Sequence, residues 1–215
     1  TTSGGTSETV YGGNNQGGTT GTTNVLINGG TIGTVYGGGE KTSVTESTNV
    51  IIKSEITNAF GGSNLEGTIP VSNVTVENTI TQNIYGGNNQ GGLTETSNVN
   101  IFGGSSKNIF GGGLKAETTT TNIFANYGNI ENIYGGGSEA GATTTNVSLG
   151  IANVKNVYGG SNISGTVQNS YIKNLDNQTL SQVALNITYG TSDQHNNQAT
   201  DYISSQKINA SITNN

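Results

Sequence analysis

Apolar positions along this chain recur in two phrases that keep step with each other. The first is a β-branched residue, an aromatic and two glycines, as in Asn132-Ile133-Tyr134-Gly135-Gly136-Gly137. Its aromatic falls at Tyr11, Tyr36, Phe60, Tyr85, Phe110, Tyr134 and Tyr158, at spacings of 25, 24, 25, 25, 24 and 24 residues. The second phrase is Thr/Ser-Asn-Val/Ile, with its Asn at Asn24, Asn49, Asn73, Asn98, Asn122 and Asn146, always 12 or 13 residues behind an aromatic. Two motifs locked in phase over six periods describe a solenoid, in which each repeat buries its apolar side only by stacking on its neighbours.

Each period carries two predicted strands. In the Asn phrase apolar residues alternate, so Val25 and Ile27 share one face, with Val50/Ile52, Val74/Val76, Val99/Ile101, Ile123/Ala125 and Val147/Leu149 stacked on them. β-branched enrichment favours strand over helix here. A second strand runs from Ile32 to Tyr36, Ile130 to Tyr134 and Val154 to Tyr158, and ends at Gly-Gly, where close backbone approach is expected. Its facing is open from the sequence. Ile130, Asn132 and Tyr134 share parity while Ile133 opposes them, so either a bend intervenes or one apolar set faces out. The residues after Gly-Gly vary most and are predicted to form an outward loop or third side.

The predicted fold is all-β: a right-handed parallel β-solenoid of about seven coils of 24–25 residues, with handedness taken from the crossover preference of parallel strands. At ~4.8 Å per coil, the rod is roughly 30 Å long. Stacking places like on like. Asn58, Asn83, Asn108, Asn132 and Asn156 form one expected column, Asn24 to Asn146 another, and the aromatics a structural ladder. Residues 1–9 read as an N-terminal arm or the entry to the first coil, 10–167 as the repeat array and 168–215 as a C-terminal β cap or assembly segment, with alternation over 182–189 and 207–213.

Composition narrows the function classes. The net charge is −6, and the seven basic residues are all Lys, so there is no basic stripe for nucleic acid. Cysteine is absent, which removes disulfides and thiolate metal sites. No apolar run approaches the ~20 residues of a membrane span, so no membrane insertion is expected. Thirty-five Gly in an aperiodic chain would signal disorder; the phased repeats overturn that reading.

Over about residues 10–167 the chain resembles the Gly-rich "VYGGG" repeats of large surface proteins of Gram-positive, mostly anaerobic bacteria. The matching stretches are Gly30-Thr31-Ile32-Gly33-Thr34-Val35-Tyr36-Gly37-Gly38-Gly39 and Asn132 to Gly137. The resemblance implies an extracellular or cell-surface β-solenoid with adhesive or stalk-like duties.

Few residues suggest chemistry. The Gly-Gly runs lack the Lys-Ser/Thr of a phosphate loop. Repeat-in-toxin calcium coils need an Asp in every turn, and Asp176, Asp193 and Asp201 all lie beyond the array. Glu46 and Glu95 share a column two coils apart, ~9.6 Å by strand spacing where a glycosidase pair stands about 5 to 9 Å apart, with Pro70 between them. As isolated charges on a loop-like segment they read as solvated side chains. His195 stands alone in a Gln/Asn-rich turn. No catalytic, cofactor or metal residues are assigned, and no enzymatic activity is expected.

The array with most physical content is Thr-x-Thr. Counting four and two residues back from each Asn gives Thr20/Thr22, Thr45/Ser47, Ile69/Val71, Thr94/Thr96, Thr118/Thr120 and Ala142/Thr144. By period two these oppose the Val25 column, so Thr20, Thr22, Thr45, Thr94, Thr96, Thr118, Thr120 and Thr144 are expected on one flat outward face. Insect ice-binding solenoids use such ladders; Thr is also an ordinary exposed-strand residue. The expected function is therefore a non-enzymatic structural or adhesive solenoid. Its expected partners are further copies of itself end to end, or surface glycans and other surface proteins. Ice binding and glycan binding stand as alternatives.

Overall fold

The computed structural model describes residues 1–174, 186–189 and 212–214. Among these residues there is no helix. Fourteen strands form one continuous set of parallel ladders: β1 Thr6–Tyr11, β2 Thr19–Ile27, β3 Thr31–Tyr36, β4 Ser43–Ile52, β5 Ile56–Phe60, β6 Thr68–Val76, β7 Thr79–Tyr85, β8 Leu93–Phe110, β9 Glu117–Tyr134, β10 Ala142–Leu149, β11 Asn153–Tyr158, β12 Val167–Asn174, β13 Asn186–Tyr189 and β14 Ile212–Asn214. The chain is a parallel β-solenoid of about seven turns.

One side of the rod stacks β1, β3, β5, β7, the second halves of β8 and β9, then β11. A second side stacks β2, β4, β6, the first halves of β8 and β9, then β10 and β12. The loops after Gly-Gly form the third side and stack through their own backbone, as in Asn64 N–H to Gly39 O at 3.0 Å and Asn89 N–H to Ser63 O at 2.9 Å. Register follows the repeat: Asn24 lies on Asn49, Asn49 on Asn73, and Tyr36 on Phe60.

The Val25 column is buried from Val25 through Val50, Val74, Val99, Ile123 and Val147, and so is its neighbour from Ile27 to Leu149. Strict alternation holds along this straight stretch. The second strand does not alternate throughout. Ile130 and Ile133 both enter the core, as do Ile56 with Ala59 and Val154 with Val157. A bend between them puts inward positions three apart rather than two, which settles the facing left open by the sequence. The aromatic next to each bend then leaves the main core. Tyr36, Phe60, Tyr85, Phe110 and Tyr134 form a second buried cluster, joined at its ends by Tyr11 and Tyr158. Successive rings stack at 4.5–5.1 Å with interplanar angles of 3–13°.

The glycine after each aromatic has a steric cause. A Cβ at Gly86 would collide with the carbonyl oxygen of Gly111 and press on the Ser97 side chain, because here the backbone passes close beneath the next coil. That same carbonyl column anchors the interior. The hydroxyl before each Asn points inward and crosses the coil: Thr23 donates to Gly37 O and Thr121 to Gly135 O, each at 2.6 Å, and Thr145 to Gly159 O at 2.7 Å.

At the N-terminal end the first coil takes in part of residues 1–9. Thr6 to Glu8 already belong to β1, which pairs with β3, and Thr2 bridges Ile27. At the other end β12 continues the second stack over β10, with Ile172 buried on the column of Val147. β13 lies parallel on β11, and β14 on β13. These strands extend the same parallel ladders. The rest of the expected cap, including Asp176, Asp193, His195 and Asp201, lies outside the described residues.

Candidate functional site

The side chains shared by every coil are occupied with one another. On the second stack, Asn49 Nδ2 donates to Asn24 Oδ1 at 3.1 Å, and the chain of amides continues through Asn73, Asn98, Asn122 and Asn146 at 2.9–3.0 Å. The other ladder runs from Asn58 through Asn83, Asn108 and Asn132 to Asn156, each step 2.9 Å. The loops serve the ring stack. Asn64 donates to the Tyr11 hydroxyl and Asn89 to the Tyr36 hydroxyl, both at 3.1 Å, whereas the next loop residue in that column, Leu114, packs against the ring cluster. Burial raises the phenol pKa of Tyr11 and Tyr36, offset in part by these amides; it pushes that of Tyr85 up to about 12, with the Glu139 charge adding to the shift.

The Thr-x-Thr face differs from its expected form. Thr94 is 0% exposed and Thr118 is 1%, in one inward column with Ile69, Ala142 and Val167. The cause is a second corner. Inward positions again fall three apart, Thr94 with Ser97 and Thr118 with Thr121, so the two threonines of a Thr-x-Thr cannot share a face here. Thr94 Oγ1 finds Asn88 Oδ1 at 3.3 Å, while the buried Thr118 hydroxyl has no partner. Only one column points outward: Thr22, Ser47, Val71, Thr96, Thr120 and Thr144, in register. Thr22 donates to Glu46 at 2.6 Å. Thr20 and Thr45 sit where β2 and β4 slip register, and are partly and fully exposed respectively. Glu46 and Glu95 are both exposed. Among the described residues, no group of three His, Cys, Asp or Glu could hold a metal.

What differs between coils is on the outside, and a surface concavity lies there. A shallow groove of about 600 Å³ crosses the outer surface of β7, β8, β9 and β11. One wall is Ile80, Ser105, Asn129 and Asn153; the other is Gln82, Lys107, Glu131 and Lys155. Just upstream on the chain, Phe102 (45% exposed), Tyr127 (48%) and Ile151 (38%) form an apolar ridge. Phe102 and Tyr127 are register partners, and the Phe102 ring meets Phe124 edge to face at 6.2 Å. Sequence reasoning missed both features, since they occupy three or four coils and carry no periodic signal.

No family model, curated protein or solved structure matches the chain.

Proposed function

We propose that this protein is a non-enzymatic structural and adhesive rod that works outside the cell, with copies stacking end to end. The observation carrying this reading is the use of the repeat itself. The residues that recur from coil to coil are the inward apolar columns, the aromatic ladder, the two amide ladders and the crossing hydroxyls, and all serve coil-to-coil stacking. Such a sequence specifies a stiff body with distinct outer faces and no central reaction chamber. Low charge, abundant Thr, Asn and Gly, and the resemblance to bacterial surface repeats support an extracellular setting. The outward column, interrupted by Val71, favours the structural reading over ice binding, which calls for a flat two-column array.

Stacking draws on the rod's polarity. Among the described residues, β12 pairs with β10 alone, and β2 pairs with β4 and meets only Thr2 on its other side. Both strands run parallel in one stack, so a second copy can meet this edge by translation along the axis. Such a heterologous contact does not close and yields filaments. Asn24 accepts from Asn49, and among the described residues none accepts from its own amide N–H groups. An Asn24→Asp variant keeps the acceptor for Asn49, removes the free donor and adds a charge. Sedimentation velocity over a concentration series should show the wild type growing into larger species and the variant remaining smaller, with equal melting temperatures. A wild type that stays monomeric at high concentration contradicts the stacking.

A further inference from the structure

We infer that the groove across β7, β8, β9 and β11 binds a linear polysaccharide in which every second sugar carries a carboxylate. The shape comes first. The groove runs along the rod axis over four coils, three strand spacings or ~14 Å, which suits an extended polymer and not a compact ligand. Peptide addition as an extra strand is blocked at β7, β8 and β9, because each is hydrogen-bonded on both sides: β7 to β5 and β8, β8 to β7 and β9, β9 to β8 and β11. The groove itself is open to solvent and not an enclosed apolar pocket for a peptide side chain. The groove presents amides, hydroxyls and charges repeating at one strand spacing, about the length of one sugar in an extended chain.

The charges set the ligand's pattern. Lys107, Glu131 and Lys155 occupy one column on successive coils, one residue before the Asn108, Asn132 and Asn156 ladder. None of the three joins an ion pair; among the described residues the ion pairs are Lys53–Glu77 at 3.0 Å and Lys115–Glu139 at 4.0 Å. The two ammonium groups therefore recur every second coil, ~9.6 Å apart, with a carboxylate between them. An acidic sugar matches each lysine, and a neutral sugar between them gives its hydroxyls to Glu131. Asn129 and Asn153 add amides on the opposite wall. The ridge of Phe102 and Tyr127 stands two or three residues upstream on the same coils, at exposures unusual for rings of that size. Such rings stack on the apolar face of a pyranose, and exposed apolar clusters mark interaction sites. Chain polymers carrying dense charge of one sign are not favoured, since Glu131 would repel them.

This inference rests on the adhesive half of the proposed function and is independent of stacking. The test is titration calorimetry of the full chain with a hyaluronan oligosaccharide, whose sugars alternate between a uronate and a neutral N-acetylhexosamine. A neutral chito-oligosaccharide and poly-glutamate serve as comparisons, and sedimentation is read on the same samples. Binding should be specific to the alternating chain. It should weaken about tenfold or more in the double variant Lys107→Gln/Lys155→Gln and in Phe102→Ala/Tyr127→Ala. All these side chains are exposed, so the melting temperature should not move. Absence of binding to hyaluronan overturns the inference, as does equal binding of either comparison polymer or indifference to both variants. None of these results bears on stacking, which the sedimentation profile reports separately.

Discussion

At the scale of single residues, stability in this protein comes from small groups repeated in register rather than from large side chains. A Thr or Ser hydroxyl, an Asn amide and a bare glycine each make one contact per coil, and each contact recurs at the next coil. The tyrosines add a pH limit. Tyr85 is buried among other rings and its phenol is pushed up to about 12 from 10.0. A folded-state pKa above the unfolded value means that the native state favours the neutral phenol. The stabilisation is complete below pH 10 and is lost as pH rises through about 12. Tyr85→Phe, which installs the residue already present at Phe60 and Phe110, should melt like wild type at neutral pH and better than wild type between these limits. Identical alkaline melting curves would show that Tyr85 ionises freely in the folded rod.

At the scale of elements, the sequence is legible where the chain is straight and misleading where it turns. The Val25 to Val147 column could be assigned by alternation because the strand between the hydroxyl and the Val-x-Ile pair does not bend. At the corners two consecutive residues face outward and period two fails by one position. That is why Thr94 and Thr118 were expected outside and lie inside, while Thr96 and Thr120, past the corner, are half-buried. The sequence did carry a hint, since Ile69, Ala142 and Val167 in the same column are apolar. Lysine scanning reads the corner directly. Thr94→Lys buries an unpaired charge and should cost about 3 kcal/mol or more, whereas Thr96→Lys should stay within ~0.5 kcal/mol of wild type. Equal effects in chemical denaturation would mean that both threonines share a face after all. The groove and the aromatic ridge were illegible for a different reason. Periodicity isolates what the coils share, whereas Lys107, Glu131, Lys155, Phe102 and Tyr127 are departures from the repeat.

At the scale of the whole molecule, the account treats each coil as an interchangeable layer whose stability depends on its neighbours above and below. Excising residues 86–110 tests this most directly. The cut joins Tyr85 to Gly111, the same aromatic–glycine junction that the intact chain makes at Phe110. It removes one coil and leaves both remaining halves in phase. In the shortened rod Val74 should meet Ile123, Asn73 should meet Asn122 and Tyr85 should stack on Tyr134. The measurement is thermal unfolding followed by circular dichroism. The account predicts a strand-rich spectrum and one cooperative transition at a modestly lower temperature. A shortened chain that is unfolded, or that melts without cooperativity, would contradict it.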